Sequence, residues 1–132
     1  MTIVVDASIF VSAFAEVGDY SGWASEIINS EDLHCPTLVY AECAQGLRRV
    51  ERIGDLSSLE AELALREILE LDKSLYPFEP YADRVWDLRH NLTCYDAWYV
   101  ALAESLACPL VTLDLRISRA GGIQCEVIRP HR

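Results

Sequence analysis

Residues 93–114 read TCYDAWYVALAESLACPLVTLD, and this stretch decides the fold. The segment Ala97–Leu106 is apolar almost all round, which predicts a buried helix. Pro109–Leu113 follows as a short apolar run that predicts a buried strand ending at Asp114. A buried helix that leads directly into a buried strand is typical of α/β proteins.

The same alternation extends over the rest of the chain. Thr2–Val5 is a β-branched apolar run that ends at Asp6 and suits the first strand of a parallel sheet. Further strands are predicted at Leu33–Cys35, Leu75–Phe78 and Gln124–Ile128. Helices are predicted over Ser8–Ala15, from Asp19 or Ser21 to Asn29, from an N-cap at Thr37 to Arg52, after the Ser57–Glu60 capping box, and from Pro80 to His90. We therefore expect a single domain over residues 1–132, an α/β/α sandwich around a central parallel sheet of four or five strands.

Composition limits the function. The 132 residues carry 21 acidic and 11 basic side chains, a net charge of −10, which argues against a basic surface that coats DNA. Only one lysine, Lys73, is present, so a reactive-lysine mechanism has a single candidate. The apolar start of the chain lacks a basic segment and contains Asp6, which argues against a signal peptide, and no apolar run is long enough to span a membrane. We expect a soluble, cytoplasmic protein.

The five cysteines are odd in number and show no CxxC spacing. That pattern favours reduced structural thiols over disulfides or a zinc site. The three histidines, His34, His90 and His131, share no motif that would join them in one site.

Four acidic residues stand out by position. Asp6 and Asp114 each follow a predicted strand, Glu42 borders the apolar stripe of its helix, and Asp96 opens the most apolar helix. Ligands of open α/β sheets bind at the carboxyl ends of the strands. Converging carboxylates repel each other, and a hard divalent cation such as Mg²⁺ or Mn²⁺ relieves that repulsion.

Each acid also has an ordinary structural interpretation. Asp96 fits a capping box with Thr93, Asp6 and Asp114 fit turns, and Glu42 could pair with Arg49. The consistent placement of all four acids favours a metal site over four separate coincidences.

The motifs around these acids resemble a known family. VVDAS at 4–8, VYAEC at 39–43, YDAWYVALAE at 95–104 and PLVTLDLR at 109–116 resemble PIN-domain ribonucleases, and most closely the VapC-type toxins of bacterial toxin–antitoxin pairs. The similarity spans essentially the whole chain, and the third motif is highly specific.

The resemblance implies a PIN-like fold and a Mg²⁺- or Mn²⁺-dependent endoribonuclease that cleaves RNA. The family's metal-binding and catalytic acids then correspond to Asp6, Glu42, Asp96 and Asp114, and Ser8 and Thr112 match polar positions beside that site. The resemblance also implies a cognate antitoxin partner and a homodimer.

Three other functions stay open to comparison. A catalytically silent PIN-fold interaction module is the main alternative, although such a module would be expected to have lost an acid. A signalling receiver needs an acid pair beside Asp6 and a late lysine, and both are absent from the sequence. A D-x-D phosphatase is disfavoured because Ser8 occupies the place of the second Asp.

Overall fold

The computed structural model describes residues 1–131 and shows a five-stranded parallel sheet. The strands are β1 (Thr2–Val5), β2 (Asp32–Pro36), β3 (Ser74–Tyr76), β4 (Leu110–Val111) and β5 (Val127–Ile128). The helices are α1 (Ala7–Ala15), α2 (Ser21–Ser30), α3 (Val39–Arg52), α4 (Ser58–Glu70), α5 (Ala82–Asp87), α6 (Cys94–Leu106) and α7 (Leu115–Arg119). A 3₁₀ turn, Glu79–Tyr81, leads into α5.

Helices cover both faces of this sheet, as predicted. Ile3 and Val5 of β1 belong to a core cluster with α1, α2, α3 and α4, whereas Val4 belongs to a second cluster with α5 and α6. Successive side chains of a strand point to opposite faces, so β1 has both faces buried and its apolar run is continuous. The predicted α/β/α sandwich is confirmed.

The strand order β3-β2-β1-β4-β5 creates a topological switch point beside β1. The chain first builds outward from β1 through β2 to β3, and then returns to the other side of β1 for β4 and β5. Val4 and Val5 of β1 are in register with Leu110 and Val111 of β4. A crevice is expected at the carboxyl ends of these two strands, where the direction of winding reverses.

The capping box at the start of α4 is confirmed. The Ser57 hydroxyl accepts from the Glu60 N–H at 3.1 Å, and the Glu60 carboxylate accepts from the Ser57 N–H at 2.9 Å. The predicted burial of α6 is confirmed for Ala97 to Ala103, whereas Ser105 near its C-terminal end is exposed.

Several predicted boundaries are wrong. Thr37 is not the N-cap of α3, because its N–H donates to the Tyr76 carbonyl and the first helical bond is accepted by Leu38. The helix after Pro80 ends at Asp87 rather than His90. The Leu88 N–H is shared among the carbonyls of residues 84–86, and the Arg89 guanidinium donates to the Trp86 carbonyl at 2.7 Å.

The last two strands are shorter than expected, and α7 was not predicted. Asp114 begins α7 as its N-cap and thereby turns the chain away from the sheet. All five cysteines are free thiols, with Cys35 and Cys43 buried. No helix in the described part of the chain is long and apolar enough to cross a membrane.

Candidate active site

A cavity of about 450 Å³ opens at the carboxyl ends of β1 and β4. It is lined by all four predicted acids, Asp6, Glu42, Asp96 and Asp114. These residues come from four separate segments: the end of β1, the first turn of α3, the first turn of α6 and the N-cap of α7. The structure therefore brings together at one site the residues that the sequence selected by topology.

Asp6 is the most deeply buried of the four acids, with 7% of its surface exposed. Its side chain caps α1 by accepting from the Ser8 N–H at 3.1 Å, and it also accepts from the Ser8 and Thr112 hydroxyls. Burial raises the pKa of Asp6 to about 6, against the lowering effect of these hydroxyls, and repulsion from Glu42 and Asp96 adds to the rise.

Ser8 and Thr112 lie beside the acids, as predicted, and each connects β1 to the segment after β4. The Ser8 hydroxyl accepts from the Leu113 N–H at 3.1 Å, and the Thr112 hydroxyl accepts from the Asp114 N–H at 2.9 Å. Both hydroxyls therefore fix the Asp6 carboxylate and the adjoining backbone together. Their supporting role in catalysis stays a prediction.

Glu42 receives a hydrogen bond from a residue that the sequence did not single out. The Tyr99 hydroxyl donates to Glu42 Oε1 at 2.6 Å. Burial raises the pKa of Glu42 and also raises that of Tyr99, so the phenol stays protonated and acts as a donor. The alternative pairing of Glu42 with Arg49 does not occur; Arg49 instead lines the cavity.

Asp96 and Asp114 have opposite electrostatic surroundings. Burial raises the pKa of Asp96, and repulsion from Asp114 contributes. Two hydrogen bonds from the Arg116 guanidinium, at 3.2 and 2.9 Å, hold the pKa of Asp114 below its usual value. Thr93 caps α6 by accepting from the Asp96 N–H at 3.1 Å, but within residues 1–131 the Asp96 carboxylate does not bond back to the Thr93 N–H, so the predicted capping box is only half formed.

The donor set fits a hard divalent cation by its chemistry. The cavity is lined by four carboxylates and, within residues 1–131, by no histidine or cysteine, which suits Mg²⁺ or Mn²⁺ better than zinc. In the conformation observed for these residues, no three His, Cys, Asp or Glu side chains converge closely enough to hold one ion. Metal binding therefore requires some of these carboxylates to move closer together, and Asp114 would exchange part of its contact with Arg116 for the ion.

The sequence analysis did not single out Tyr99 or Arg116, and it named Arg49 only as a possible partner of Glu42. Tyr99 lies one helical turn after Asp96, a spacing that places both on one face of α6. Arg49 and Arg116 add positive charge at the same cavity. Lys73 lies outside the lining and bonds backbone carbonyls, so it has a structural role.

The fold and the cavity define a small α/β domain with a carboxylate-lined site at the switch point of its sheet. A family model described as "PIN domain" matches residues 3–123. Ribonuclease VapC9 of Mycobacterium tuberculosis is 43% identical over 125 residues, covering 95% of each chain, and ribonuclease VapC1 of the same organism is 38% identical, covering 94% of each. The chain therefore belongs to the PIN-domain family and, within it, to the VapC ribonucleases.

A solved structure supports the fold alone. VapBC-5 from Mycobacterium tuberculosis, described as a member of the VapBC family of toxin-antitoxin systems, superimposes with a TM-score of 0.63 at 20% identity, covering 98% of each chain. The resemblance stated from the motifs is confirmed by these relatives.

Proposed function

We propose that this chain is a Mg²⁺- or Mn²⁺-dependent endoribonuclease that hydrolyses RNA phosphodiester bonds, and the toxin of a type II toxin–antitoxin pair. The observation that carries the proposal is that four carboxylates line one cavity in a member of the VapC ribonucleases. A divalent ion held there would supply an activated water and would offset the charge on the phosphate.

The chain's own residues divide the remaining work. Asp6, Glu42, Asp96 and Asp114 would hold the ion, and Ser8 and Thr112 fix the Asp6 carboxylate before the ion arrives. Preorganised donors of this kind reduce the rearrangement that binding requires. Arg49 and Arg116 line the same cavity and place positive charge where an RNA phosphate would enter.

The acidic character of the chain also bears on its partner. A net charge of −10 favours a protein partner that brings basic side chains to the acidic cavity, and we propose the cognate antitoxin in that role. Phe14, Trp23 and Tyr40 pack against the core cluster that contains Ile3 and Val5. All three are only half-buried, so part of each ring can contact a partner. Phe10 is fully buried and cannot contact a partner.

We also propose a homodimer and a cytoplasmic location. The outer face of α4 exposes Leu59 and Leu63, which are one helical turn apart and 63% and 48% exposed. Apolar side chains repeated along one face of a helix suit a contact with a second copy. We propose the cytoplasmic location because the proposed substrate is RNA, which a bacterial cell holds in its cytoplasm.

The alternative of a catalytically silent interaction module is disfavoured by the site. All four acids are present and line one cavity, and burial raises the pKa of three of them, a cost in stability that a bound cation would offset.

An RNA cleavage assay with Asp96→Asn tests the proposal. The variant should fold, because Thr93 caps α6 through the backbone N–H of residue 96, and it should lose at least about 100-fold in cleavage with Mn²⁺. Asp87→Asn, an exposed change at the end of α5, is the matched control and should cleave like wild type. Full activity of Asp96→Asn, or wild-type cleavage in excess EDTA, would contradict the proposal.

A further inference from the structure

We infer that Tyr99 is a positioning residue that holds the Glu42 carboxylate in the acidic cavity for metal binding. The inference rests on the proposed function, since it gives a role in the metal site to a side chain that is not itself an acid. Its physical basis is one hydrogen bond, from the Tyr99 hydroxyl to Glu42 Oε1 at 2.6 Å.

This bond connects the two helical layers at the carboxyl ends of the central strands β1 and β4. Tyr99 belongs to the core cluster around α6, whereas α3, which carries Glu42, packs in the cluster on the opposite face. The two residues are 57 positions apart in the chain. Only 1% of Tyr99 is exposed, so the ring is fixed by packing and the hydroxyl has a defined position.

Glu42 depends on this bond more than Asp6 and Asp114 depend on any one of theirs. Within residues 1–131, Tyr99 is the only hydrogen-bond partner of the Glu42 carboxylate, whereas Asp6 has the Ser8 and Thr112 hydroxyls and Asp114 is held by Arg116. Glu42 is half-buried and has three rotatable side-chain bonds. Without the phenol, holding its carboxylate in the cavity would cost additional rotamer entropy when the ion binds.

A purely structural role for Tyr99 makes a different prediction. If the ring only fills the core, removal of the hydroxyl leaves metal affinity unchanged, because the packing is retained. If the hydroxyl positions Glu42, its removal weakens metal binding even though the chain still folds. Tyr99→Phe separates the two, since it deletes one oxygen and keeps the ring.

The experiment is a calorimetric Mn²⁺ titration of the intact chain, with the Mn²⁺-induced rise in melting temperature as a second readout. Tyr99→Phe should bind Mn²⁺ about 10- to 100-fold more weakly than wild type. Tyr76→Phe is the matched control: its hydroxyl also has a hydrogen bond, 2.7 Å to His34 Nδ1, but Tyr76 does not line the cavity. Its affinity should equal that of wild type.

A double-variant comparison assigns the effect to Glu42. In a Glu42→Gln background, which lacks the carboxylate, Tyr99→Phe should produce little further loss of Mn²⁺ affinity. Wild-type affinity in Tyr99→Phe, or the same loss in Tyr76→Phe, would overturn the inference while leaving the proposed function standing. A wild-type chain that binds no Mn²⁺ would instead contradict the proposed metal dependence, and the inference with it.

Discussion

Three of the four acids of the cavity are kept in place by different means. Asp6 is buried and held by two hydroxyls, Glu42 by a phenol, and Asp114 by a guanidinium. Burial raises the pKa of Asp6, Glu42 and Asp96, whereas Arg116 lowers that of Asp114. Ionisation of three of the four carboxylates is therefore unfavourable in the folded chain, and a bound cation would offset that cost.

Asp6 should make the metal-free chain more stable as the pH falls towards 5. The pKa of Asp6 is raised from 3.8 to about 6 in the folded state, so the folded chain binds a proton there that the unfolded chain does not bind. Ionisation above pH 6 therefore costs stability, about 3 kcal/mol in full, and protonation between pH 7 and pH 5 recovers about 1.3 kcal/mol of that cost. Urea unfolding in EDTA at pH 7 and pH 5 measures the change.

Asp6→Asn is the control for this effect. The amide cannot ionise, so the gain in stability from pH 7 to pH 5 should be smaller in the variant than in wild type. Equal pH dependence of stability in the two proteins would show that ionisation of Asp6 does not destabilise the folded chain.

At the level of elements, the sequence was most informative where a contact is local or where an apolar pattern is long. The capping box of α4 and the burial of α6 were predictable because Ser57 and Glu60 act locally and because α6 is apolar on every side. The lengths of the two-residue strands β4 and β5 were overestimated, because pairing with the neighbouring strand, and not the length of the apolar run, decides where a strand ends. The helix α7 was missed because its five residues form no detectable period.

The site shows the same division. The positions of Asp6 and Asp114 follow from strand ends, a topological rule that needs no coordinates. The Tyr99–Glu42 bond was not predictable, because it joins residues on opposite layers and depends on how closely α3 and α6 approach each other. Glu42 beside Arg49 was the local alternative, and the longer-range contact replaced it.

The C-terminal end of α4 depends on the single lysine. Lys73 Nζ donates to the Ile68 carbonyl at 2.6 Å and the Leu71 carbonyl at 2.7 Å, and it lies 4.9 Å from the centre of the Tyr40 ring. Lys73→Met keeps the aliphatic stem but removes these donors and the charge. We expect a loss of about 1–3 kcal/mol in the free energy of unfolding, measured in urea.

Arg66→Met is the matched control on the same helix. Its ion pair with Glu62 is exposed, so the loss should stay within about 0.5 kcal/mol. Equal effects of the two substitutions would show that Lys73 does not cap α4.

For the whole molecule, the fold places one acid from each of four separate segments around a single opening. The switch point beside β1 makes this possible, because β1 and β4 end side by side while α3 and α6 approach from opposite layers. The net charge of −10 then acts together with the cavity to favour cations and basic partners.

A partner that covers this opening should be recoverable from cells. Co-expression with an adjacent upstream gene for a short antitoxin should yield a complex that survives size exclusion, and an interface of ordinary size would bury about 1,600 Å². Expression of the chain alone should inhibit growth, and co-expression should restore it. Undiminished inhibition in the presence of the neighbouring protein would contradict the proposed partner.

The identity of the nucleophile tests the account most directly. Among the described residues that line the cavity there is no histidine, and His34 is engaged by Asp32 and Tyr76, at 2.8 and 2.7 Å. A ribonuclease that activates the 2′-hydroxyl generally needs such a base, whereas a carboxylate site with a divalent ion uses water. The measurement is cleavage, with Mn²⁺, of an RNA oligonucleotide that carries one 2′-deoxy sugar at the cut site, with the product ends mapped. We predict cleavage at that site with 5′-phosphate and 3′-hydroxyl ends. A 2′,3′-cyclic phosphate from the all-RNA substrate, or loss of cleavage at the deoxy position, would contradict hydrolysis by water in the acidic cavity.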